Sequence, residues 1–325
     1  MIAEVPANPT RLAIIGDVGG HLLPLVEQLV ALGVDVDARR IPSDLVICQV
    51  GDLVHKGPDS DAVVRLVGEY LQVNTGQWVQ LVGNHESQYL PGGTEFWPST
   101  VSETSRRALL DWWGSGQLRI AASFSIAGPT PDAGPDPGAE PDEGPRVDSC
   151  PAGQLLVTHA GLTAGAWRLL GEPATVTEAV ELLNRAEAPV VWRQGGMTTG
   201  AVDLAAGPIW ARAVREVYAS WALYDQSELA REEPAPPPVF PQAHGHTTAF
   251  HWRRRRWRLA FDELPRLTEP SRLADERRKI TRIRIGQRVY FGTDPDAGVA
   301  PASVSVPLVL PLAQPLVQSG AQPQA

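Results

Sequence analysis

Short apolar runs that stop abruptly at a glycine followed by an acidic or amide residue constrain this chain more than any other feature. Residues 11–16 run into Asp17, residues 45–50 into Gly51-Asp52, and residues 78–82 into Gly83-Asn84-His85. Each has the length and apolar content of a buried strand. Residues 22–32 then show helical spacing, with Gly33 as the stop, and Pro58-Asp59-Ser60 opens a helix running to about Leu71. This strand–turn–helix rhythm predicts right-handed crossovers and a largely parallel sheet, an α/β fold in which ligands bind outside the carboxyl ends of the strands. The polar blocks fall at those ends.

Farther on, residues 154–157 read as a fourth core strand delivering His159, and 239–240 lead into His244-Gly245-His246. Helices are expected over 102–113, 175–186 and 208–224. Residues 279–285, 289–291 and 303–310 look β-rich. Residues 127–153, dense in Pro, Gly and Asp, cannot bury a core and read as a disordered insertion. Residues 232–238 form a second Pro-rich passage, and 313–325 a flexible tail beyond a single domain over 1–312.

The bulk composition excludes several classes. Hydrophobic residues make up 43% and charged residues 20% of 325, as in a soluble globular protein. No apolar run is long enough to span a bilayer, and the start lacks the basic-then-apolar order of a secretion signal, so a cytoplasmic location is expected. Cys48 and Cys150 are too few for a zinc framework and badly placed for a disulfide. The net charge of -9 argues against wrapping nucleic acid. Residues 251–290 nevertheless carry 13 basic against 5 acidic side chains, which would attract a small phosphorylated ligand. Within them, 252–258 reads as a charged edge hairpin, with Arg253 and Arg255 on one face and Arg254 and Arg256 on the other.

Six of the seven histidines lie in the polar blocks, and His251 follows the last one. Phosphate esters resist hydrolysis because the dianion repels nucleophiles and the leaving alkoxide is poor; two cations about 4 Å apart answer both problems. Such a pair needs one shared carboxylate and terminal ligands from several strand ends. Asp52 suits the bridge, Asp17 the first metal, and Asn84, His159 and His246 the second. Mixed nitrogen and oxygen donors favour manganese, with iron or zinc as alternatives, over calcium.

Gly51-Asp52-Leu53-Val54 with Gly57-Pro58-Asp59-Ser60, then Gly83-Asn84-His85-Glu86, Thr158-His159-Ala160-Gly161 and His244-Gly245-His246, together resemble the calcineurin-like metallophosphoesterases. Within that family the likeness is to the phosphoprotein-phosphatase branch, with its bacterial Ser/Thr and dinucleoside-polyphosphate phosphatases. It implies a four-layer α/β/β/α sandwich with mixed sheets and two divalent metal ions. It also implies hydrolysis of a phosphomonoester or nucleotide phosphoanhydride by metal-bound hydroxide. The substrate would be a phosphorylated small molecule, a nucleotide or a phosphoprotein; charge and hydropathy, as above, argue against nucleic acid and membrane as partners. By the same resemblance His85 would protonate the leaving oxygen or orient substrate, and the Arg212 of Trp210-Ala211-Arg212 would grip the phosphate, with Lys56 as a further phosphate-holding cation.

Three departures fall on the first-metal side. Gly19 stands where the family carries histidine, with His21 two residues beyond as a candidate replacement and His244 and His251 as others. His55 replaces the aspartate that would support His85, and Lys56 replaces arginine. The competing expectation is therefore a catalytically weakened phosphatase fold that binds a phosphorylated ligand or partner.

Overall fold

The computed structural model describes residues 9–128, 146–185, 189–229, 239–258, 272–296 and 305–313. The chain begins β1 (Arg11–Ile15), α1 (Leu22–Ala31), β2 (Leu45–Gln49), α2 (Ser60–Val73), β3 (Trp78–Leu81), α3 (Asn84–Ser87), α4 (Glu103–Gly114) and β4 (Leu118–Arg119). It continues through β5 (Ala121–Ile126), β6 (Gly153–Thr158), α5 (Ala164–Leu169), α6 (Val176–Asn184) and α7 (Gly196–Thr199). A π-helical turn, Ala213–Tyr218, then runs into α8 (Ala219–Leu229). The remaining strands are β7 (Gln242–His244), β8 (Phe250–His251), β9 (Arg256–Trp257), β10 (Arg272–Asp275), β11 (Ile280–Ile285), β12 (Arg288–Gly292) and β13 (Leu308–Pro311).

Two sheets form. The first has the order β13-β1-β2-β3-β4, parallel from β1 to β4 with β13 antiparallel beside β1. The second has the order β10-β11-β12-β7-β6-β5. Only its β12–β7 and β7–β6 pairs are parallel, so the largely parallel expectation holds for the first sheet alone.

Strand alternation packs the layers. Leu12 and Ile14 of β1, Val46 and Cys48 of β2, Leu155 and Val157 of β6, and Val289 and Phe291 of β12 share one buried cluster between the sheets. Their neighbours Ala13, Ile15, Leu45, Ile47, Leu156 and Tyr290 join the second cluster, with the helix residues. Helices α2 and α4 pack on the first sheet and α6 on the second, giving the α/β/β/α sandwich. Both free cysteines are buried in the inter-sheet cluster.

Several local expectations are corrected. The helix expected over 208–224 starts at Ala213, because residues 207–211 fold into tight turns on the Gly207 carbonyl. Of the expected insertion, 129–145 lie outside the described residues. Residues 146–152, by contrast, pack: Cys150 is buried and Arg282 Nε donates to the Ser149 carbonyl (2.8 Å). The segments 232–238 and 314–325 also lie outside the described residues. The basic run forms a hairpin, but Trp252–Arg254 is a 3-10 turn and Arg255 is left-handed (φ 50°), so its arginines do not alternate as in a strand. No helix among the described residues is long and apolar enough to cross a membrane.

Candidate metal centre

Asp17 follows β1, Asp52 follows β2, Asn84 opens α3 after β3, His159 follows β6, and His246 follows β7. The sandwich brings these five to one edge. Close backbone approach makes that possible. A Cβ at Gly51 would lie 2.3 Å from Gly83 N, and one at Gly83 would lie 2.2 Å from Asp52 N, so only glycines let the second and third loops touch. Glu86 then ties them together by accepting N–H bonds from Gly83 (2.9 Å), Asp52 (2.8 Å), Leu53 (2.8 Å) and Val54 (3.2 Å). Buried Gln49 grips the first two loops, its amide nitrogen donating to the carbonyls of Gly16 (3.0 Å) and Gly51 (2.8 Å).

His159 and His246 define the strongest donor cluster. His159 Nδ1–H donates to the Val50 carbonyl (3.0 Å), and His246 Nε2–H to the Trp210 carbonyl (3.1 Å). Carbonyls only accept, so each imidazole keeps its other nitrogen bare. Those bare atoms, His159 Nε2 and His246 Nδ1, face each other at 3.2 Å, with Asn84 Oδ1 3.2 Å and Asp52 Oδ1 3.3 Å from the first. Burial lowers both histidine pKa values, His246 strongly with His159 beside it, so neither carries the proton that would relieve the contact. Four Lewis-basic atoms converging in this way could hold a cation, and the donor set suits a divalent transition metal. Asp52, His159 and His246 form the metal-competent group found among the described residues.

Lys56 stands on the other side of Asp52. Its Nζ lies 3.2 Å from Asp52 Oδ2 and 3.8 Å from Asp17 Oδ2. Burial works against the Asp52 carboxylate, but His85, His159 and Lys56 hold it well below the usual range. Among those three, Lys56 supplies formal charge when the histidines are neutral. Asp17 goes the other way, raised well above its usual range by burial and by Asp294 and Asp52. Its Oδ1 accepts the His246 N–H (2.8 Å), while its Oδ2 is buried without a hydrogen-bond partner.

His85 sits under an aromatic wall, its ring centroid 5.1 Å from that of Phe96 and 4.7 Å from that of Trp97. Burial depresses its pKa to about 4, with the Asp52 carboxylate opposing. Its Nε2 faces Asp52 Oδ2 at 3.7 Å and its Nδ1 contacts His55. Arg212 is anchored through Nη2 to Glu216 Oε1 (3.0 Å) and the Ala201 carbonyl (2.9 Å). It lines a cavity of about 480 Å³ beside His246, together with Arg215, Arg256, Trp257, Arg258 and Asp294.

Three candidates lie elsewhere. His21 is the N-cap of α1 and makes no side-chain capping bond; its Nδ1 packs over Gly57. His244 uses both ring nitrogens, with Tyr218 Oη (2.7 Å) and the Gly245 carbonyl (3.0 Å). His251 lines the cavity rather than the cluster.

The sequence reading missed Asp294, Tyr89, Phe96 and Trp97. Asp294 was findable, since Thr293-Asp294 follows the Gly292 that ends β12 much as Gly16-Asp17 follows β1. The aromatics lie on an irregular loop with no periodic signal.

Residues 10–189 match the family profile of the calcineurin-like phosphoesterases. No curated protein matches the chain. Among solved structures, a cold-active protein-tyrosine phosphatase of a psychrophile, Shewanella sp., is 12% identical over 92% of this chain and 73% of its own, with a TM-score of 0.45. A putative diadenosine tetraphosphatase is 25% identical over 36% of this chain and 46% of its own, with a TM-score of 0.25. A metallophosphoesterase from Sphaerobacter thermophilus is 19% identical over 47% of this chain and 48% of its own, also at 0.25. Resting on the profile match, which spans more than half of its length, the chain belongs to the calcineurin-like phosphoesterase family, whose members are generally metal-dependent phosphoester hydrolases.

Proposed function

We propose that this protein hydrolyses a phosphomonoester or a nucleotide phosphoanhydride at the Asp52 centre. The observation that carries the reading is the pair of bare imidazole nitrogens, His159 Nε2 and His246 Nδ1, held 3.2 Å apart beside two oxygen donors. Asp52, Asn84, His159 and His246 would hold the divalent ion. When bound, that ion neutralises phosphoryl charge and acidifies water. Manganese is the first candidate, with iron and zinc next.

The chain's own groups supply the rest. Lys56 directs an ammonium, on a side chain 18% exposed, at the point where phosphoryl oxygens would approach Asp52. His85, neutral and walled from water by Phe96 and Trp97, would donate a hydrogen bond from Nε2 to the leaving oxygen and orient it. Arg212 and the arginines of the adjoining cavity would bind further phosphate. That cavity adjoins His246, and its volume of about 480 Å³ favours a substrate extending beyond a single phosphate.

A panel of phosphomonoesters and nucleoside polyphosphates, assayed with manganese, iron, nickel and zinc, tests the reading. Turnover of one class that is abolished in Asp52→Asn supports it. A second reading, a phosphatase-fold module that binds phosphate without turnover, is favoured by the glycine at position 19 and the histidine at position 55. It would show metal and ligand binding in the wild type with turnover no faster than in Asp52→Asn.

A further inference from the structure

The two sides of Asp52 are not equally fit for a metal ion. On the His159 side, two nitrogens and two oxygens converge. The Asp17 side offers carboxylate oxygens and no nitrogen donor: position 19 is a glycine at φ 57°, His21 packs over Gly57, and both nitrogens of His244 are engaged. What stands against those carboxylates is Lys56, whose Nζ is 3.2 Å from Asp52 Oδ2 and 3.8 Å from Asp17 Oδ2.

We infer that the Lys56 ammonium takes the place of the first metal, so that this chain carries one divalent ion facing a tethered cation instead of a two-metal pair. The inference rests on the metal-centre reading above and narrows it.

Three observations support it. His55 and Lys56 are consecutive non-glycine residues in the left-handed region (φ 69° and 63°), a strained turn that aims the lysine stem inward. The side chain is only 18% exposed, so it is held in place rather than waving in solvent. Lysine also differs from arginine in the relevant way. Its charge is a compact point with three donors, able to sit between two carboxylates as an ion would, whereas a guanidinium spreads its charge over a planar fork. A dication placed against Asp17 would meet that ammonium at short range, in surroundings too buried to screen the repulsion. Asp294, a third buried carboxylate, lies in the field of Lys56 and adds negative charge to the same side. For a substrate, the consequence is a phosphoryl group gripped on one flank by an ion and on the other by an ammonium tethered covalently to the chain.

The test is metal content of the purified full-length protein after reconstitution with manganese, read by elemental analysis together with electron paramagnetic resonance. The expected result is one manganese per chain, with the hyperfine pattern of an isolated ion. Two ions per chain with an exchange-coupled spectrum would overturn the inference while leaving the metal-centre reading intact. No bound ion would overturn both. As a second arm, Gly19→His combined with Lys56→Met removes the ammonium and adds a nitrogen donor, and a second manganese is expected to bind. If the folded double variant stays at one ion, Lys56 is not what excludes the second, and the inference falls.

Discussion

His55 Nδ1 lies 2.8 Å from His85 Nδ1, so one imidazole donates and the other accepts. Both outer ends of the pair agree on the direction. Tyr89 Oη accepts the Val101 N–H (3.1 Å) and lies 2.6 Å from His55 Nε2, to which it can donate its own proton. At the other end, His85 Nε2 faces the Asp52 carboxylate, which favours a proton there. His55 therefore donates from Nδ1, and His85 carries its proton on Nε2. An aspartate at position 55 would instead accept from His85 Nδ1, and His85 would then have to be an imidazolium to donate from Nε2.

The kinetic consequence can be measured with His55→Asp. Its carboxylate should raise the His85 pKa from about 4 toward neutrality, giving kcat/KM an alkaline limb that the wild type lacks. Tyr89→Phe removes the outer donor and should lower kcat by roughly 10-fold with little change in KM. Identical pH profiles for wild type and His55→Asp would refute this proton placement.

Metal removal should destabilise the fold. An ion bound only by the native state stabilises it by about 2.7 kcal/mol at a hundredfold excess over Kd. Chelation should therefore lower Tm, and manganese should restore it. In His246→Ala and Asp52→Asn the manganese-dependent rise in Tm should shrink or vanish. Differential scanning calorimetry with and without manganese reads the effect directly.

Glu86 braces two loops through four backbone N–H groups, all of which lose their acceptor in Glu86→Ala. Orphaned buried donors cost about 1–3 kcal/mol each, and water entering the gap would recover part of that. Urea denaturation should show a loss of about 3–5 kcal/mol. Manganese affinity should also fall, because the Asp52 turn loses its support. A loss below about 1 kcal/mol would show that these bonds do not brace the site.

Metal-free protein should lose stability on mild acidification. Burial depresses His55, His85 and His244 to about 4, whereas in the unfolded chain they titrate near 6.5. Their folded pKa values are the lower ones, so unfolding takes up protons. Their contribution is complete above pH ~6.5 and is lost as pH falls toward ~4, at roughly 1.4 kcal/mol per histidine per pH unit. Asp17 and Asp294, raised by burial, act in the opposite sense and return part of that loss. Urea midpoints at pH 7 and pH 5 test the balance, with the lower midpoint expected at pH 5.

Much of this architecture is legible from pattern. The strands before Asp17, Asp52, Asn84 and His159 announce themselves because a double-buried strand must be apolar on both faces and must stop where the chain turns polar. The ligand set on the His159 side is legible for the same reason, each member sitting at a strand end. What local pattern cannot show is which groups from separate loops meet. Nothing near position 56 tells that its side chain lies between two carboxylates from different strands, and nothing near Tyr89 tells that it ends a chain of imidazoles. The π-helical turn is hidden likewise, because its register is set by Glu216 accepting the Arg212 N–H (2.8 Å) and gathering the N–H groups of Gly196 and Asp203. Such choices belong to tertiary packing, which overrides local propensity.

The antiparallel pairing of β13 with β1 joins Arg11 to Pro311 and Ile14 to Leu308. The segment carrying Asp17 is thus flanked on one side by a strand that leaves the ribosome hundreds of residues later. Until then its outer row of amides and carbonyls stands open, a template for wrong partners during synthesis. Closure of that edge therefore waits on β13, the last strand among the described residues.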